Sequence, residues 1–210
     1  MMNSKHVLPI QPESFALLVA YLKKHINEAD IFEIWLDEMK VKGDLAVIQK
    51  YFKKPMIAKS GSLDMLKRGV KAGLSFVDVP HNLVTDMEFE TLVKNKGTQV
   101  IRSYHNHLKT PPYDELLDIL EEMIAKKAHL FKIATHLESS EDAEILLRLL
   151  DGMHLKEKLI VTGMGKHARE VRIRAPLKGS VFYYAPLDQQ FATAPGQLTR
   201  AELEQEWGLL

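Results

Sequence analysis

The sequence alternates short apolar segments with longer amphipathic ones, and this alternation recurs about eight times along 210 residues. Several of the short segments are apolar on both alternating faces, which is typical of strands covered on both sides. Strands that alternate with helices predict a parallel sheet, because parallel neighbours need a long crossover connection. The predicted strands are Val7–Ile10, Asp30–Asp37, Pro55–Ser60, Leu74–Val79, Thr98–His105, Leu130–Thr135, Leu159–Gly163 and Val181–Ala185.

The segments between these strands are predicted to be helices, because apolar residues recur at helical spacing behind capping residues. Thr110 followed by Pro111 predicts the start of a helix that runs to about Ala128. Thr199 with Glu202 matches a capping box, and a weak helix is predicted over Ala168–Arg174. The other predicted helices open at Gln11–Ser14, span Gly43–Phe52, Ser62–Lys71 and Asp86–Asn95, and run from Ser139 through Leu150.

Eight strand–helix units predict an α/β fold, a compact (β/α)8 TIM barrel with parallel strands, near the lower end of its size range. A doubly wound open sheet is the alternative. It is less favoured, because eight units are many for an open sheet of this size and no G-x-G-x-x-G follows the first strand. No linker, repeat or low-complexity tract interrupts the pattern, so residues 1–210 are predicted to form a single domain.

The composition argues against several classes of protein. Lys and Arg number 28, as do Asp and Glu, so no basic excess indicates a nucleic-acid partner. The absence of cysteine excludes disulfides, Cys-ligated zinc and a thiol nucleophile. No apolar run approaches the roughly 20 residues that span a bilayer, and the N-terminus lacks the apolar core of a signal peptide. We therefore expect a cytoplasmic protein with no membrane partner.

The most informative residue is Lys132, which lies inside an apolar strand where an amine is costly to bury. Desolvation is expected to lower its pKa and make the neutral amine available as a nucleophile toward carbonyls. His105 ends the neighbouring predicted strand. Because adjacent strands lie about 4.8 Å apart, the two side chains are expected to meet over one substrate.

Other interpretations of these residues stay open. A lysine in a strand more often lies at a strand end with its ammonium in water. A metal site is a second alternative, since His105 and His107 share one face and His136 or Asp188 could add a ligand. Gly163 and Gly165 match a phosphate loop only weakly. Four histidines are predicted to be loop residues: His81, His129, His136 and His167.

Three stretches in this order and spacing strongly resemble type I 3-dehydroquinate dehydratase: Ser103–Asn106, Thr110–Pro111 and Phe131–Thr135. That family carries a Ser-x-His-Asp-Phe…Thr-Pro stretch and a Lys-Ile-Ala stretch. The resemblance continues through Met164–Lys166, Arg172 and Ala194–Gln197, and it covers most of the chain from about Ala29 onward. The family is a (β/α)8 barrel, which agrees with the fold predicted from the pattern.

The resemblance implies a lyase of the shikimate pathway, in aromatic amino acid biosynthesis, that acts on a small keto acid. Lys132 would form an imine with the C3 ketone of 3-dehydroquinate, and His105 would transfer protons. Arg172, Gln197 and Thr193 would hold the substrate carboxylate, and Glu33 matches a further substrate-binding position. Neither a metal nor an organic cofactor is implied, and a homodimer is expected.

The chain departs from the family pattern at several of these positions. Trp35 replaces an arginine that contacts the substrate, Gly61 stands at a second arginine position, and Pro80 ends an altered Asp-x-Glu. Lys59 is a shifted source of positive charge, and His107 replaces a phenylalanine. Three hypotheses follow: a divergent dehydroquinate dehydratase, an imine-forming barrel lyase or aldolase with another carbonyl substrate, and a catalytically silent binding protein.

Overall fold

The structure is a computed structural model, and it describes residues 3–39, 43–152, 155 and 157–209. Over these residues the chain alternates strands and helices. The strands are β1 (Lys5–Ile10), β2 (Ile31–Trp35), β3 (Met56–Lys59), β4 (Phe76–Pro80), β5 (Gln99–Asn106), β6 (Leu130–His136), β7 (Leu159–Met164) and β8 (Phe182–Tyr184). The helices are α1 (Phe15–His25), α2 (Leu45–Tyr51), α3 (Leu63–Lys71), α4 (Met87–Lys96), α5 (Tyr113–Ala125), α6 (Ser140–Arg148), α7 (Ala168–Lys178) and α8 (Arg200–Glu206).

The sheet has the strand order β7-β6-β5-β4-β3-β2-β1-β8. Every pair with an assigned register is parallel. The residue before β8 joins the two ends of this order: the Lys5 amide donates to the Val181 carbonyl at 2.9 Å, and the Val181 amide donates to the Leu159 carbonyl at 3.0 Å. A sheet bonded in this way has the topology of a barrel, which confirms the (β/α)8 prediction and excludes the open sheet.

The chain divides into two compact units. One is Val7–Arg102, and the other combines the described residues up to His6 with those from Ser103 onward. In the first unit, Phe32, Ile34 and Leu36 are all buried. In the second, one cluster packs α5, α6 and α7 against β6 and β7, with Leu116, Ile133, Leu146, Val161 and Val171 among its buried members. The single-domain assignment stays a prediction.

Capping residues begin most helices where the sequence predicts. Ser139 and Thr199 both form complete capping boxes. The prediction at Thr110 is wrong: α5 begins at Tyr113 behind Pro112, and its last residue is Ala125. The Thr110 hydroxyl instead contacts the Thr135 hydroxyl at 2.8 Å and donates to the His136 carbonyl at 2.9 Å, so it ties the β5–α5 loop to the end of β6.

Helix α7 is longer than predicted, extending from Ala168 to Lys178. Its buried face is formed by Ala168, Val171, Arg172 and Ala175, which have the i, i+3, i+4, i+7 spacing of an amphipathic helix. The apolar stripe is weak in the sequence because two of these positions are small and one is charged. This face buries Arg172. None of the described helices is both long and apolar enough to cross a membrane.

Candidate active site

Lys132 lies in the middle of β6, and its side chain is almost fully buried, with 3% of the residue exposed. Its Cα is in register with Ile160 of β7. The Lys132 Nζ lies 4.0 Å from the ring centroid of Tyr184, over the aromatic face. The electron-rich face of an aromatic ring is a favourable neighbour for a nitrogen group of this kind.

Arg172 and Gln197 meet at the backbone carbonyl of the same tyrosine. Arg172 Nη1 donates to the Tyr184 carbonyl at 3.2 Å, and Gln197 Nε2 donates to it at 3.3 Å. Both residues are buried, and Arg172 Nε has no hydrogen-bond partner among the described residues. Burial lowers the pKa of Arg172 to about 10. We call Lys132, Tyr184, Arg172 and Gln197 the Tyr184 cluster.

Gln197 is carried into this cluster by the loop between β8 and α8. Its Oε1 accepts from the Thr193 amide at 2.7 Å and from the Thr193 hydroxyl at 3.3 Å. The Gly165 amide donates to the Pro195 carbonyl at 2.9 Å, and an added Cβ at Gly196 would lie only 2.0 Å from the Gly165 oxygen. The loop therefore approaches the turn after β7 closely enough that Gly196, with a φ of +73°, is required.

His105 is the next-to-last residue of β5, the strand next to β6 in the sheet order. Its ring stacks on that of His107 with centroids 6.2 Å apart and an interplanar angle of 13°. The prediction that His105 and His107 share one face is therefore confirmed. His136 was expected in a loop, and that prediction is wrong: it is the last residue of β6.

A second group of charged residues lies at the ends of β2, β3 and β4. Glu33 is buried, with 1% exposed, and its Oε2 accepts a hydrogen bond from Trp35 Nε1 at 2.9 Å. The contact confirms that Glu33 and Trp35 point to the same side of β2. Trp35 is half-buried. Its indole ring therefore engages the carboxylate that the resemblance assigns to substrate binding.

Lys59 extends this group across the sheet. Its Nζ lies 4.6 Å from the centroid of the Trp35 ring and 4.0 Å from Oδ2 of Asp78, which is buried. The register aligns Trp35 with Lys59 and Lys59 with Asp78, so the three side chains form one row across β2, β3 and β4. We call Glu33, Trp35, Lys59 and Asp78 the Trp35 cluster.

The ends of β2 and β3 are fixed to each other just beyond this row. Asp37 Oδ1 accepts from the Ser60 hydroxyl at 2.6 Å, and its Oδ2 accepts from the Gly61 amide at 2.8 Å. The Leu36 amide donates to the Lys59 carbonyl at 2.9 Å. The Trp35 cluster is thus attached to a rigid strand end, which fixes the relative positions of its charges.

Two features of the site were not predicted. Tyr184 is predicted only as part of a strand, although it is the common contact of Lys132, Arg172 and Gln197. Nothing in the sequence distinguishes it from the neighbouring aromatic residues of this short strand, Phe182 and Tyr183. Asp78 was noted only as part of an altered motif, and its pairing with Lys59 depends on register. In the part of the chain that the structure describes, no three metal-ligating side chains form a metal-holding group.

Fold and site together define a (β/α)8-barrel protein with a buried lysine on β6 and a buried arginine on α7, both in contact with one tyrosine. The model of the type I 3-dehydroquinase family matches residues 49–209. The chain belongs to the type I 3-dehydroquinase family.

Individual relatives agree with this assignment. The 3-dehydroquinate dehydratase of Pyrococcus abyssi is 28% identical over 190 residues, covering 84% of this chain and 86% of the relative. The enzyme of the same name from Coxiella burnetii strain RSA 493 is 32% identical over 135 residues, but the match covers only 64% of this chain and 56% of the relative. A crystal structure of the Clostridium difficile type I 3-dehydroquinate dehydratase superposes with a TM-score of 0.84 at 21% identity, covering 98% and 91% of the two chains. At that identity the structural match supports the fold.

Proposed function

We propose that this chain converts 3-dehydroquinate to 3-dehydroshikimate through an imine on Lys132. The observation that carries the proposal is the buried Lys132 amine over the Tyr184 ring in a chain of the type I 3-dehydroquinase family. A buried primary amine is suited to attack a carbonyl carbon. The shared name of the relatives supports this choice of substrate.

The proposed reaction balances without any added reagent. The Lys132 amine condenses with the C3 ketone and releases one water, and the protonated imine then acts as an electron sink for the carbanion at C2. His105 removes the C2 proton and delivers it to the departing hydroxyl, which leaves as a second water. Hydrolysis of the imine consumes one water and regenerates the amine, so the net reaction removes one water from the substrate.

Arg172 is the proposed carboxylate-binding residue. Its guanidinium is buried against one carbonyl oxygen, and its Nε has no partner among the described residues, so a bound carboxylate would neutralise and complete it. Gln197 and Thr193 are proposed to add hydrogen bonds from the β8–α8 loop. Glu33 is proposed to contact the substrate from β2. We propose no metal and no organic cofactor; a homodimer and a cytoplasmic location stay predictions.

A second candidate function is imine chemistry on a different carbonyl substrate. The Trp35 cluster favours it, because Trp35 and Gly61 stand where the resemblance implies arginines, and Lys59 supplies positive charge only from a shifted position. Lysine cannot reproduce the two parallel hydrogen bonds of a guanidinium, so the affinity for 3-dehydroquinate is expected to fall. The lysine chemistry is common to both candidates, and the identity of the substrate separates them.

The test combines turnover with covalent trapping. The protein is incubated with 3-dehydroquinate while the absorbance of the conjugated product is followed, and a parallel sample is reduced with borohydride and weighed intact. We expect product and a reduced adduct in the wild type and in Lys94→Ala, which removes an exposed lysine of α4. We expect neither in Lys132→Ala.

Each alternative gives its own result. An adduct without product would favour the second candidate. Wild-type protein that gives neither product nor adduct would reject the proposed reaction for this substrate and leave two hypotheses, a different carbonyl ligand or no catalysis at all.

A further inference from the structure

His105 and His107 form a pair of imidazoles at the end of β5. One residue separates them, and their ring centroids lie 6.2 Å apart with an interplanar angle of 13°. We infer that this pair is a binding site for a divalent transition metal such as Zn²⁺, which acts as an inhibitor of the proposed reaction and not as its cofactor. The inhibition rests on the proposed function, because it depends on the acid–base role of His105, whereas the binding does not.

The backbone of β5 directs both rings to one face. Side chains alternate along an extended strand, so residues two positions apart lie on the same side. On the opposite side, Asn106 Nδ2 donates to the Tyr104 hydroxyl at 3.1 Å, and this contact shows the same pairing of alternate residues. The two imidazoles are therefore presented together by the strand itself, before any metal arrives.

The turn after β5 holds the backbone of His107 in place. Asn106 Oδ1 accepts from the Leu108 amide at 3.0 Å and from the Lys109 amide at 3.1 Å, so the turn closes around His107. The Thr110 hydroxyl then anchors the following loop to the end of β6. Because the backbone on both sides of His107 is fixed, a metal has to order little beyond the ring itself.

The spacing of the two rings suits a single metal ion. Metal–nitrogen bonds of about 2.0 Å place the centroids of two imidazoles on one metal roughly 5 to 6 Å apart. The observed 6.2 Å is close to the upper end of this range. Since the rings lie nearly parallel, the exposed His107 ring has to turn about its Cβ–Cγ bond before both rings can direct a nitrogen at one point. That torsion has a broad distribution in histidine, so the turn costs little.

The ligand type selects the metal and explains the inhibition. Neutral imidazole suits Zn²⁺, Ni²⁺ and Cu²⁺, whereas Mg²⁺ and Ca²⁺ require oxygen ligands. Water would complete the coordination, since no group of three metal-ligating side chains occurs among the described residues. A neutral imidazole has one nitrogen that can accept a proton. When that nitrogen of His105 binds the metal, it can no longer accept the C2 proton of the substrate.

Titration calorimetry measures the binding without any turnover. Metal-free protein is titrated with zinc chloride and, for comparison, with magnesium chloride, and we expect the wild type to bind Zn²⁺ but not Mg²⁺. We expect the Zn²⁺ affinity to fall at least about 10-fold in His107→Phe and in His105→Gln, because even the outer partners of metal ligands are worth about that factor. His129→Gln, which removes an exposed histidine just before β6, is the matched control and is expected to bind Zn²⁺ like the wild type.

Inhibition is measured with 3-dehydroquinate as substrate, relative to the metal-free rate of each variant. We expect Zn²⁺ to inhibit the wild type saturably and EDTA to reverse the effect. The Zn²⁺ concentration that gives half-maximal inhibition is expected to rise at least about 10-fold in His107→Phe and to stay unchanged in His129→Gln.

These measurements can overturn the inference independently of the proposed function. Wild-type protein that does not bind Zn²⁺, or His107→Phe that binds it as tightly as the wild type, would reject the site. Binding that depends on both histidines but leaves turnover unchanged would reject the inhibition. Metal-free wild type that does not turn over 3-dehydroquinate contradicts the proposed function instead, and calorimetry still decides the metal site. His105→Gln provides the binding test if His107→Phe does not fold.

Discussion

The Trp35 cluster and the Tyr184 cluster balance their charges in different ways. In the Trp35 cluster, Lys59 has a carboxylate neighbour and the Glu33 carboxylate accepts a side-chain hydrogen bond. In the Tyr184 cluster, the Arg172 guanidinium donates to a backbone carbonyl. A buried guanidinium that faces a neutral acceptor costs stability, so Arg172 is suited to a ligand that supplies the opposite charge.

The two clusters also differ in how closely they follow the pattern of the family. The Tyr184 cluster keeps the lysine, arginine and glutamine that the resemblance implies. The Trp35 cluster contains two of the departures, Trp35 and Lys59, and its two residues on β2 precede the stretch matched by the family model. A barrel can change the residues at one set of strand ends while another set is maintained, because each strand contributes its own side chains.

The largest effect is expected from replacing Arg172, which tests whether the Tyr184 cluster binds the ligand. We expect Arg172→Met to lower kcat/KM for 3-dehydroquinate by about 100-fold or more, because a buried charged contact to the ligand is lost. We also expect the melting temperature to stay level or rise, because methionine removes a desolvated charge that lowers the stability by about 1 to 3 kcal/mol. Steady-state kinetics and thermal unfolding of the same preparation measure both effects.

Arg172→Lys is the matched variant. It keeps the charge but not the planar fork, so we expect an intermediate loss of kcat/KM. A variant without the positive charge that retained full kcat/KM would show that the Tyr184 cluster does not bind the ligand carboxylate, and the contrast with the Trp35 cluster would then lose its functional meaning.

Gly196→Ala sharpens the comparison by disturbing the loop that delivers Gln197. The new Cβ would lie 2.0 Å from the Gly165 oxygen at a φ of +73°. We expect a loss of about 2 to 4 kcal/mol in the free energy of unfolding, measured by urea denaturation, together with reduced turnover.

Gly97→Ala separates the clash from the backbone strain in this prediction. Gly97 has a similar φ of +67°, but an added Cβ would meet nothing within 4 Å. We therefore expect it to cost only about 1 kcal/mol and to leave turnover unchanged. Equal losses in the two variants would mean that the loop moves away from Gly165 without penalty.

The smallest effect is expected from an ion pair on the protein surface. Lys67 Nζ contacts Asp86 at 2.7 Å and Glu88 at 2.6 Å, linking α3 to the start of α4. Hydrogen bonds from Lys67 lower the pKa of both carboxyl groups, and those from Asp86 and Glu88 raise the pKa of Lys67. The carboxylates therefore contribute stability above their usual pKa values, which is lost as the pH falls through the lowered ones.

We accordingly expect Lys67→Met to be slightly less stable than wild type near pH 7 and to differ less from it below about pH 4. Lys96→Met, which removes an exposed lysine at the end of α4, serves as the control. Thermal melts across this pH range provide the measurement. A difference between wild type and Lys67→Met that does not change with pH would contradict the ion-pair explanation.

The fold was predictable because apolar residues recur with different periods in strands and in helices, and each strand is a short, mostly apolar segment of the sequence. All eight predicted strands are present, with ends shifted by a few residues. The cap prediction at Thr110 is wrong because a threonine before a proline is typical of a helix N-cap, whereas this hydroxyl contacts Thr135 and His136 of β6. The predicted α7 is too short because two alanines and Arg172 weaken the apolar pattern of its buried face.

The site was less predictable than the fold. Lys132 stood out because charge is rare inside an apolar strand, and its burial confirms that part of the interpretation. The contacts of Trp35 were not predictable, because they depend on side-chain orientation and on the register of three strands. Whether Lys132 and His105 act as the catalytic pair stays a prediction for the trapping experiment.

The β8–α8 loop is held to the turn after β7 by main-chain atoms, the Gly165 amide and the Pro195 carbonyl. A bond between backbone groups does not depend on the identity of the side chains around it. Mutations that keep Gly165 and Gly196 can therefore accumulate elsewhere in this loop without changing where it lies. On an evolutionary timescale, such a loop can acquire new side chains, and with them new ligand preferences, while the backbone that presents Gln197 stays the same.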